Sequence, residues 1–268
     1  MPEGDTIHAT AATLRAGLVG RPLVGFDAPG VRGPRPEPGA AIGAIEARGK
    51  HLLIRFDGGA TLHTHLGMTG SWRIGPSRAA TTRGGRPGRA VILTTAAATA
   101  VCRDAPVVEL LDDAGIRRHP QLSSLGPDLC LPDPDLDEAL RRLDALIAPA
   151  TPVGVALLDQ RVAAGIGNVY RAEVLWACRA DPFAPLEALD EDLRRSLLAT
   201  AGDLLRRNLG GGPRRTVPEG LAVYERAGRP CRRCGTAIAV RRLGEQARPV
   251  WWCPACQTAA RSSEGGTR

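Results

Sequence analysis

The pair Pro2-Glu3 carries the strongest chemical signal in the sequence, because it joins a potential amine nucleophile to an acid. An initiator Met before a small residue is normally removed, and its removal here would leave a free secondary amine on Pro2. An α-amino group titrates near ~8, so a useful fraction is unprotonated at neutral pH. That amine can attack a sugar aldehyde carbon to give a cationic iminium, while Glu3 moves protons beside it. The alternative is a proline that only precedes a helix, and the opening residues alone favour that alternative.

The basic residues provide a second candidate group. The chain contains 35 basic residues, and Lys50 is the only lysine among them. A lysine ammonium is a compact point charge that a planar guanidinium does not reproduce, so Lys50 is a candidate site residue rather than a lysine retained by chance. The net charge of +7 and the pI of about 9.5 favour a polyanionic partner such as nucleic acid. An inert basic surface is the simpler alternative.

Four of the seven cysteines form two Cys-x2-Cys pairs, with 18 residues between the pairs. This spacing is typical of zinc sites with four thiolate ligands, which leave no coordination position for a catalytic water. Val250-Trp251-Trp252 predicts a strand, so the metal is expected to fix a β-hairpin with Arg248 at its turn. By itself, Arg248 is most simply a solvated surface charge. The sequence predicts one structural Zn²⁺ bound by Cys231, Cys234, Cys253 and Cys256.

The segment from residue 160 to residue 170 contains Gly165 and Gly167, and a helical pattern begins at Asn168. Glycines allow close backbone approach, and the amides at the start of the following helix can bind an anion. A phosphate fits this place, with Asn168 as a side-chain donor. The Gly-x-Gly pattern is weak alone, and an ordinary corner between two helices is the alternative.

Hydrophobic patterns divide the chain into a β-rich part and a helical part. An N-terminal helix with Asp5 or Thr6 as its N-cap is followed by short β-type segments between residues 23 and 111, which favour an antiparallel sandwich or barrel. Residues 77–89 contain four arginines among Gly, Pro and Thr, so they predict a mobile loop and a possible phosphate contact. The clearest β-type segments are 41–47, 51–56, 61–65, 90–94 and 107–111, and the helical segments are 137–147, 153–160, 168–177 and 189–209.

These patterns predict an α+β protein in four parts. An N-terminal helix and an antiparallel β-sandwich occupy residues 1–125, and a proline-rich stretch separates them from a helical domain at 126–223. The zinc-finger hairpin occupies residues 224–258, and residues 259–268 form a disordered tail. No segment has the pattern of a signal peptide or a membrane span, so we expect a soluble, cytoplasmic protein.

Taken together, the motifs resemble the formamidopyrimidine-DNA glycosylase/endonuclease VIII family of base-excision repair enzymes. The resemblance runs from residue 2 to residue 257, and jointly the motifs are highly specific. The opening residues look most like the endonuclease VIII branch of actinobacteria. The shared motifs are Pro2-Glu3-Gly4, Arg48-Gly49-Lys50, His65-Leu66-Gly67-Met68, Leu125-Gly126-Pro127-Asp128, Leu158-Asp159-Gln160, Gly165-Ile166-Gly167-Asn168 and Cys253-Pro254-x-Cys256-Gln257.

The resemblance implies roles for three residues of the first domain in catalysis and one in filling the base stack. Pro2 would attack C1′ of the damaged nucleotide, with Glu3 as the general acid/base at the sugar, and Lys50 would hold a phosphate near the lesion. Met68 matches the family's wedge position, where an apolar side chain fills the gap left by an extruded base. Without the resemblance, a lone internal Met is more often core filler.

The second domain is implied to bind the DNA backbone. Asn168, in a helix-two-turn-helix element, and Arg248, at the zinc-finger turn, would bind the phosphates that flank the extruded base. Flipping a base costs a few kcal/mol, and fixed donors on the distorted backbone offset that cost.

The function implied by the resemblance is a bifunctional DNA glycosylase and AP lyase that removes oxidised pyrimidines by β,δ-elimination. Two alternatives stay open. The sequence around Met68 is closer to the purine-specific branch, so the same chemistry on oxidised purines is one alternative. A zinc-ribbon DNA-binding protein without catalysis is the other, although the intact Pro2 and Glu3 argue against it. The expected partner is damaged DNA, bound by a monomer.

Overall fold

The computed structural model describes residues 1–77 and 90–258. The predicted arginine-rich loop, from residue 78 onward, and the predicted disordered tail lie outside the described residues. Contacts between residues divide the chain into two compact units, Met1–Ser124 and Leu125–Arg268. The finer division of the second unit into a helical domain and a finger stays a prediction.

The first unit opens with helix α1, Gly4–Leu18. Its apolar residues fall on one face and are almost fully buried, as the helical spacing predicted: Ile7, Ala11, Leu14 and Leu18. The predicted N-cap was wrong, because the helix begins at Gly4 and its N-cap is Glu3. Asp5 instead lies inside the first turn, where a negative side chain is favoured by the helix dipole.

Eight strands complete most of the first unit. In chain order they are β1 (Leu23–Asp27), β2 (Ile42–Arg48), β3 (His51–Phe56), β4 (Thr61–His65), β5 (Ser71–Pro76), β6 (Ala90–Thr95), β7 (Ala98–Arg103) and β8 (Val107–Leu111). They form two four-stranded antiparallel sheets, ordered β1-β6-β7-β5 and β2-β3-β4-β8. Apolar residues of both sheets, such as Leu52 and Leu93, share one buried core with α1. The predicted sandwich is therefore confirmed.

Strand prediction succeeded where apolar or β-branched residues were continuous and failed where they were diluted. The bounds of β3, β4 and β8 are those predicted, and β2 and β6 differ by one residue. The strands β1, β5 and β7 were not predicted individually, since glycine, arginine or alanine interrupts the β-type pattern of each. Two short helices, α2 (Asp113–Arg118) and α3 (Pro120–Ser124), were also missed because they are too short to show a helical period.

The second unit contains the remaining helices: α4 (Leu136–Leu146), α5 (Val153–Ala156), α6 (Asn168–Ala177) and α7 (Glu191–Arg206), with a 3-10 turn at Leu186–Ala188. The bounds predicted for α6 are confirmed. The predicted helix at 153–160 was too long, because α5 ends at Ala156 and the chain then turns. The start of α7 is set by Asp190, whose carboxylate accepts a hydrogen bond from Leu193 N at 2.8 Å.

A two-stranded antiparallel hairpin follows, formed by β9 (Ala239–Leu243) and β10 (Arg248–Trp252). Trp251 of β10 packs against a small core in which Ile238, Cys231 and Cys253, just outside the strands, join Ala172 and Trp176 of α6. The hairpin is therefore fixed to that helix by packing. Within residues 1–77 and 90–258, no helix is long and apolar enough to cross a membrane.

Candidate functional site

Pro2 and Glu3 lie at the beginning of α1. Pro2 is half-buried, whereas the Glu3 side chain is 0% exposed. Glu3 adopts an extended backbone as the N-cap, and its carbonyl accepts a hydrogen bond from Ile7 N at 3.1 Å. Glu3 is therefore buried at the start of the helix, directly after Pro2, and its side chain makes no capping hydrogen bond to the first turn.

Lys50 lies in the turn that joins β2 to β3. Arg48 pairs directly with His51, so Gly49 and Lys50 are the only residues of the turn. Gly49 has a φ of 56°, which strains any residue with a Cβ. The sequence Arg-Gly-Lys therefore forms a tight hairpin that sets the position of the Lys50 backbone, while the side chain is half-buried.

A chain of histidines adjoins this hairpin, and sequence reasoning missed it. Nδ1 of His51 lies 2.9 Å from Nε2 of His63, whose Nδ1 lies 2.8 Å from Oε2 of Glu109. The same carboxylate oxygen lies 3.0 Å from Nε2 of His119, and Nδ1 of His119 accepts a hydrogen bond from Leu122 N at 3.2 Å. Because a carboxylate only accepts, both histidines facing Glu109 donate to it. His63 Nε2 then accepts from His51 Nδ1, which assigns the tautomers of the chain.

Burial lowers the pKa values of His51, His63 and His65, which favours their neutral forms. Burial, followed by the charges of His63, His65, His119 and Lys50, lowers the pKa of His51 to about 3. Burial also lowers the pKa of His65, with Lys50 as the next cause. The pKa of His63 is lowered by burial despite its bond to Glu109. The signal that the sequence did contain is the alternation of His63 and His65 along β4. In the structure His51 is the partner of His65 across the β3–β4 pair.

Met68 lies in the turn between β4 and β5 and is 78% exposed. Gly67 has a φ of 56°, and a Cβ there would come within 2.6 Å of Pro106 Cγ. Gly70 N closes the turn with a 2.8 Å hydrogen bond to Leu66 O. A turn this tight projects the Met68 side chain into solvent, which argues against its being core filler.

In the second unit, the segment between α5 and α6 consists of turns held by Gln160. The Gln160 side-chain amide donates to Leu158 O and Ile166 O, both at 3.0 Å, and its oxygen accepts from Gly165 N at 3.1 Å. Gly126 packs so closely on this segment that a Cβ would lie 2.2 Å from Val162 O. The Leu-Gly-Pro-Asp motif therefore supports the turns from behind.

Asn168 is the first residue of α6, but its side chain is only 5% exposed. Its Nδ2 donates to Pro249 O on β10 at 2.9 Å, and its Oδ1 accepts a short hydrogen bond from Nη2 of Arg171. The same Nη2 donates to Pro249 O at 2.7 Å. The fully buried Arg171 was also missed, although a basic residue in an apolar helix, three positions after Asn168, is a detectable signal.

Arg248 is the exposed first residue of β10, next to Pro249. The hairpin turn ahead of it contains Gly244 and Ala247, both with positive φ. An open cavity of about 560 Å³ behind the turn is lined by Arg171 and Arg248 and by residues of α5. Of the two residues predicted to bind phosphates, Asn168 is hydrogen-bonded to the Pro249 carbonyl and Arg248 directly precedes Pro249 in β10.

The four cysteines of the two pairs come together. The sulfur atoms of Cys231, Cys234, Cys253 and Cys256 all lie within 4.8 Å of one another, and Cys234 Sγ lies 3.5 Å from Cys253 Sγ. Zn–S bonds of about 2.3 Å place tetrahedral thiolates about 3.8 Å apart, so the cluster fits a four-coordinate ion. The Trp176 indole N–H also points at Cys231 Sγ at 3.4 Å, which is the kind of outer-shell bond that orients a ligand. These residues can bind a metal ion.

Comparisons with known proteins agree with this geometry. Residues 1–105 match the formamidopyrimidine-DNA glycosylase N-terminal domain, and residues 125–216 match the formamidopyrimidine-DNA glycosylase H2TH domain. The "Probable endonuclease 8 2" of Streptomyces coelicolor is 40% identical, with 99% of this chain and 97% of the relative covered. The "DNA-(apurinic or apyrimidinic site) lyase Nei2" of Mycolicibacterium smegmatis is 42% identical, with 97% and 100% covered.

A solved structure has the same fold. The complex of Lactococcus lactis Fpg with DNA containing an abasic site matches with a TM-score of 0.78 and 23% identity, over 96% of this chain and 100% of that chain. The sequence identity to the curated relatives extends over nearly the whole length of both proteins. The chain belongs to the formamidopyrimidine-DNA glycosylase/endonuclease VIII family, and it is an enzyme of the DNA glycosylase and AP lyase class that acts in base-excision repair.

Proposed function

We propose that this enzyme removes oxidised pyrimidines from DNA through an iminium formed by the Pro2 nitrogen, and then cleaves the strand by β,δ-elimination. The observation that carries the proposal is the placement of Glu3. Its carboxyl group is fully buried at the start of α1, next to the residue whose nitrogen would react. The curated relatives named endonuclease 8 support the DNA-cleaving part of this assignment.

The first step requires removal of Met1, because the Pro2 nitrogen is otherwise an amide without a reactive lone pair. The freed amine attacks C1′ of the damaged nucleotide, and the base departs with the electron pair of the glycosidic bond. The base takes up the N–H proton that the attacking nitrogen loses. Glu3 protonates the sugar ring oxygen, which opens the ring and leaves an iminium between nitrogen and C1′. A buried, fixed acid suits this role because it needs little reorganisation.

The iminium then acts as an electron sink. Loss of a proton from C2′ sends electrons to the cationic nitrogen and gives an enamine, which then expels the phosphate on C3′ and restores the iminium. Loss of a proton from C4′ drives a second elimination that expels the phosphate on C5′. Hydrolysis finally frees the Pro2 amine. Glu3 and the sugar exchange the protons, and no oxidant or reductant is needed at any step.

The DNA backbone would be held by three donors from different elements. Lys50 binds a phosphate near the lesion from the β2–β3 turn, while Asn168 and Arg248 bind phosphates that flank the extruded nucleotide. Met68 fills the space in the base stack, a role supported by its exposure on a tight turn. These contacts offset the few kcal/mol that base flipping costs.

The metal site is proposed to support the contacts between the protein and the DNA backbone. We propose that Cys231, Cys234, Cys253 and Cys256 hold one Zn²⁺, which supplies no reaction step because four thiolates leave it without an open position. Its function is to fold the hairpin that presents Arg248.

The substrate class is tested with three matched duplexes, which contain an oxidised pyrimidine, an oxidised guanine or a preformed abasic site. We expect the processed enzyme to release the pyrimidine and leave a one-nucleotide gap with phosphate at both ends, the product of β,δ-elimination. Faster release of the oxidised guanine would replace the pyrimidine assignment with the purine alternative. Cleavage of the abasic site without release of either base would reduce the function to that of a lyase.

A further inference from the structure

The buried guanidinium of Arg171 is the least expected group in the second unit. The side chain is 0% exposed and lies in the first turn of α6, whose other buried residues are apolar except Asn168 and Glu173. Besides Asn168 and Pro249, it donates from Nη1 to Gly154 O at 3.2 Å. A buried charge is costly unless its hydrogen bonds are made, so this arrangement indicates a specific requirement for the planar fork of arginine.

Three separate elements meet at this guanidinium. Gly154 belongs to α5, Asn168 to the start of α6 and Pro249 to β10 of the finger hairpin. The Pro249 carbonyl accepts from both Arg171 and Asn168, so this edge of β10 faces α6 rather than β9. A proline suits that edge because it has no N–H group to leave unpaired there.

The hydrogen bonds also fix the orientation of the Asn168 amide. Its oxygen accepts from Arg171, and one Nδ2 hydrogen goes to the Pro249 carbonyl. A flipped amide would place its oxygen against that carbonyl and its NH₂ group against the guanidinium, so only one orientation is stable. The second Nδ2 hydrogen is therefore held in a defined direction.

We propose that Arg171 is a positioning residue for DNA binding, which sets the spacing and direction of Asn168 and Arg248 by joining α6 to the finger hairpin. Arg248 directly precedes the bridged Pro249, so a shift of that carbonyl moves the base of the Arg248 side chain. This inference rests on the phosphate-binding roles proposed for Asn168 and Arg248. Arg171 itself touches neither the reacting sugar nor the metal ligands in this account.

The test compares Arg171→Lys, which keeps the charge but loses the fork, with Arg226→Lys. Arg226 is a matched control, because its guanidinium also bridges two backbone carbonyls of the second unit, those of Ala222 and Pro230. The measurement is the Kd for a duplex that contains a tetrahydrofuran abasic analogue. We expect about a 10- to 100-fold weaker Kd in Arg171→Lys, and less than about a 3-fold change in Arg226→Lys.

A double-mutant cycle separates positioning from general stability. If Arg171 acts through Arg248, Arg171→Lys costs far less affinity in an Arg248→Ala background than in the wild type. The slope of log K against log salt concentration should also fall by about 1 in Arg171→Lys, as if one phosphate contact were lost. Metal content and thermal unfolding are measured on every variant.

The outcomes distinguish this inference from the proposed function. If Arg248→Ala and Asn168→Ala bind the duplex as tightly as the wild type, the phosphate-binding roles fail and Arg171 has nothing to position. If those variants bind weakly but Arg171→Lys binds normally, the Arg171 inference alone is overturned. The same holds if the affinity lost in Arg171→Lys is fully additive with that lost in Arg248→Ala. Should Arg171→Lys not fold, Arg171→Gln replaces it. Loss of the fold in both would assign Arg171 to folding alone and also overturn the inference.

Discussion

The two units of this enzyme hold their candidate residues in different ways. In the first unit, Glu3 lies at a helix start, while Lys50 and Met68 lie in turns made possible by Gly49 and Gly67 at positive φ. In the second unit, Asn168 is buried, and its amide is bonded on one side to Arg171 and on the other to Pro249. Backbone geometry positions the first set, and side-chain hydrogen bonds position the second.

The difference between Glu3 and Asn168 follows from what each is proposed to do. A group that reacts at a sugar has to exchange a proton with one atom, so Glu3 is placed at the start of α1, directly after Pro2. A group that binds phosphates contributes mainly by being fixed before the DNA arrives, because ordering side chains on binding costs free energy. Conservative substitutions should therefore reduce turnover in the first unit and DNA affinity in the second.

The largest effect is expected for Glu3→Gln. General acid–base catalysis contributes roughly 10²- to 10⁴-fold, so base release should fall by about that factor. Cleavage of a preformed abasic site should fall much less, because acid assistance matters most while the base departs. Single-turnover rates on the two substrates measure both effects. Glu46→Gln, which removes a part-exposed carboxylate on β2, is the control. Equal losses on both substrates would contradict the assigned role.

Metal removal should mainly affect the second unit. Zinc-finger binding energies are roughly 10–16 kcal/mol, so the apo finger should lose order locally while the separate helical core persists. DNA affinity should fall by about 100-fold because Arg248 is released together with its hairpin. Metal analysis, circular dichroism and Kd measure these changes in Cys234→Ser, with Cys178→Ser as the control outside the cluster. A metal-free protein with unchanged affinity would refute the role of the finger.

Lys50→Arg should reduce turnover although it keeps the charge. Loss of a charge-assisted hydrogen bond costs ~1.5–3 kcal/mol, which corresponds to roughly 10- to 100-fold in rate. Arg55→Lys on β3, which replaces arginine with lysine, should leave turnover nearly unchanged, because the ion pairs recorded for Arg55 are part-exposed. Full activity of Lys50→Arg would return the only lysine to the status of a surface charge.

The smallest effect concerns the stability of the first unit at mildly acidic pH. His51 has its pKa lowered to about 3 by burial first, so the folded protein keeps it neutral while the unfolded chain binds a proton below pH 6.5. Stability should therefore fall as pH falls from 6.5 toward 3, and His51 contributes up to about 1.4 kcal/mol per pH unit. Urea unfolding at pH 7.5 and pH 5 should show this decrease, and it should be smaller in His51→Asn. An identical pH dependence in both proteins would contradict it.

Much of the fold was predictable from sequence because the decisive patterns are local. The bounds of β3, β4 and α6 followed from apolar runs and glycine turns, and the cysteine spacing predicted the cluster. The sheet order was not predictable in this way, since β1 pairs with β6 far along the chain and only tertiary packing specifies that pairing.

The candidate site was predictable only where residue type alone marks a functional residue. Residues that carry a reaction stand out by type, as Lys50 does among arginines. Residues that position others do not stand out, because their importance depends on which elements fold against them. Arg171 acquires its role only when β10 packs on α6, and the histidine chain forms only when β3, β4 and β8 pair in register.

The central claim is a covalent bond between Pro2 and the damaged nucleotide, and borohydride trapping tests it most directly. An iminium is reducible, so reduction during reaction should freeze a protein–DNA adduct whose mass maps to the peptide that begins at Pro2. The adduct should require removal of Met1, weaken in Pro2→Gly and vanish when the N-terminus is blocked. A correctly processed enzyme that cleaves the DNA without any trapped species, or that is trapped through Lys50, would contradict the account.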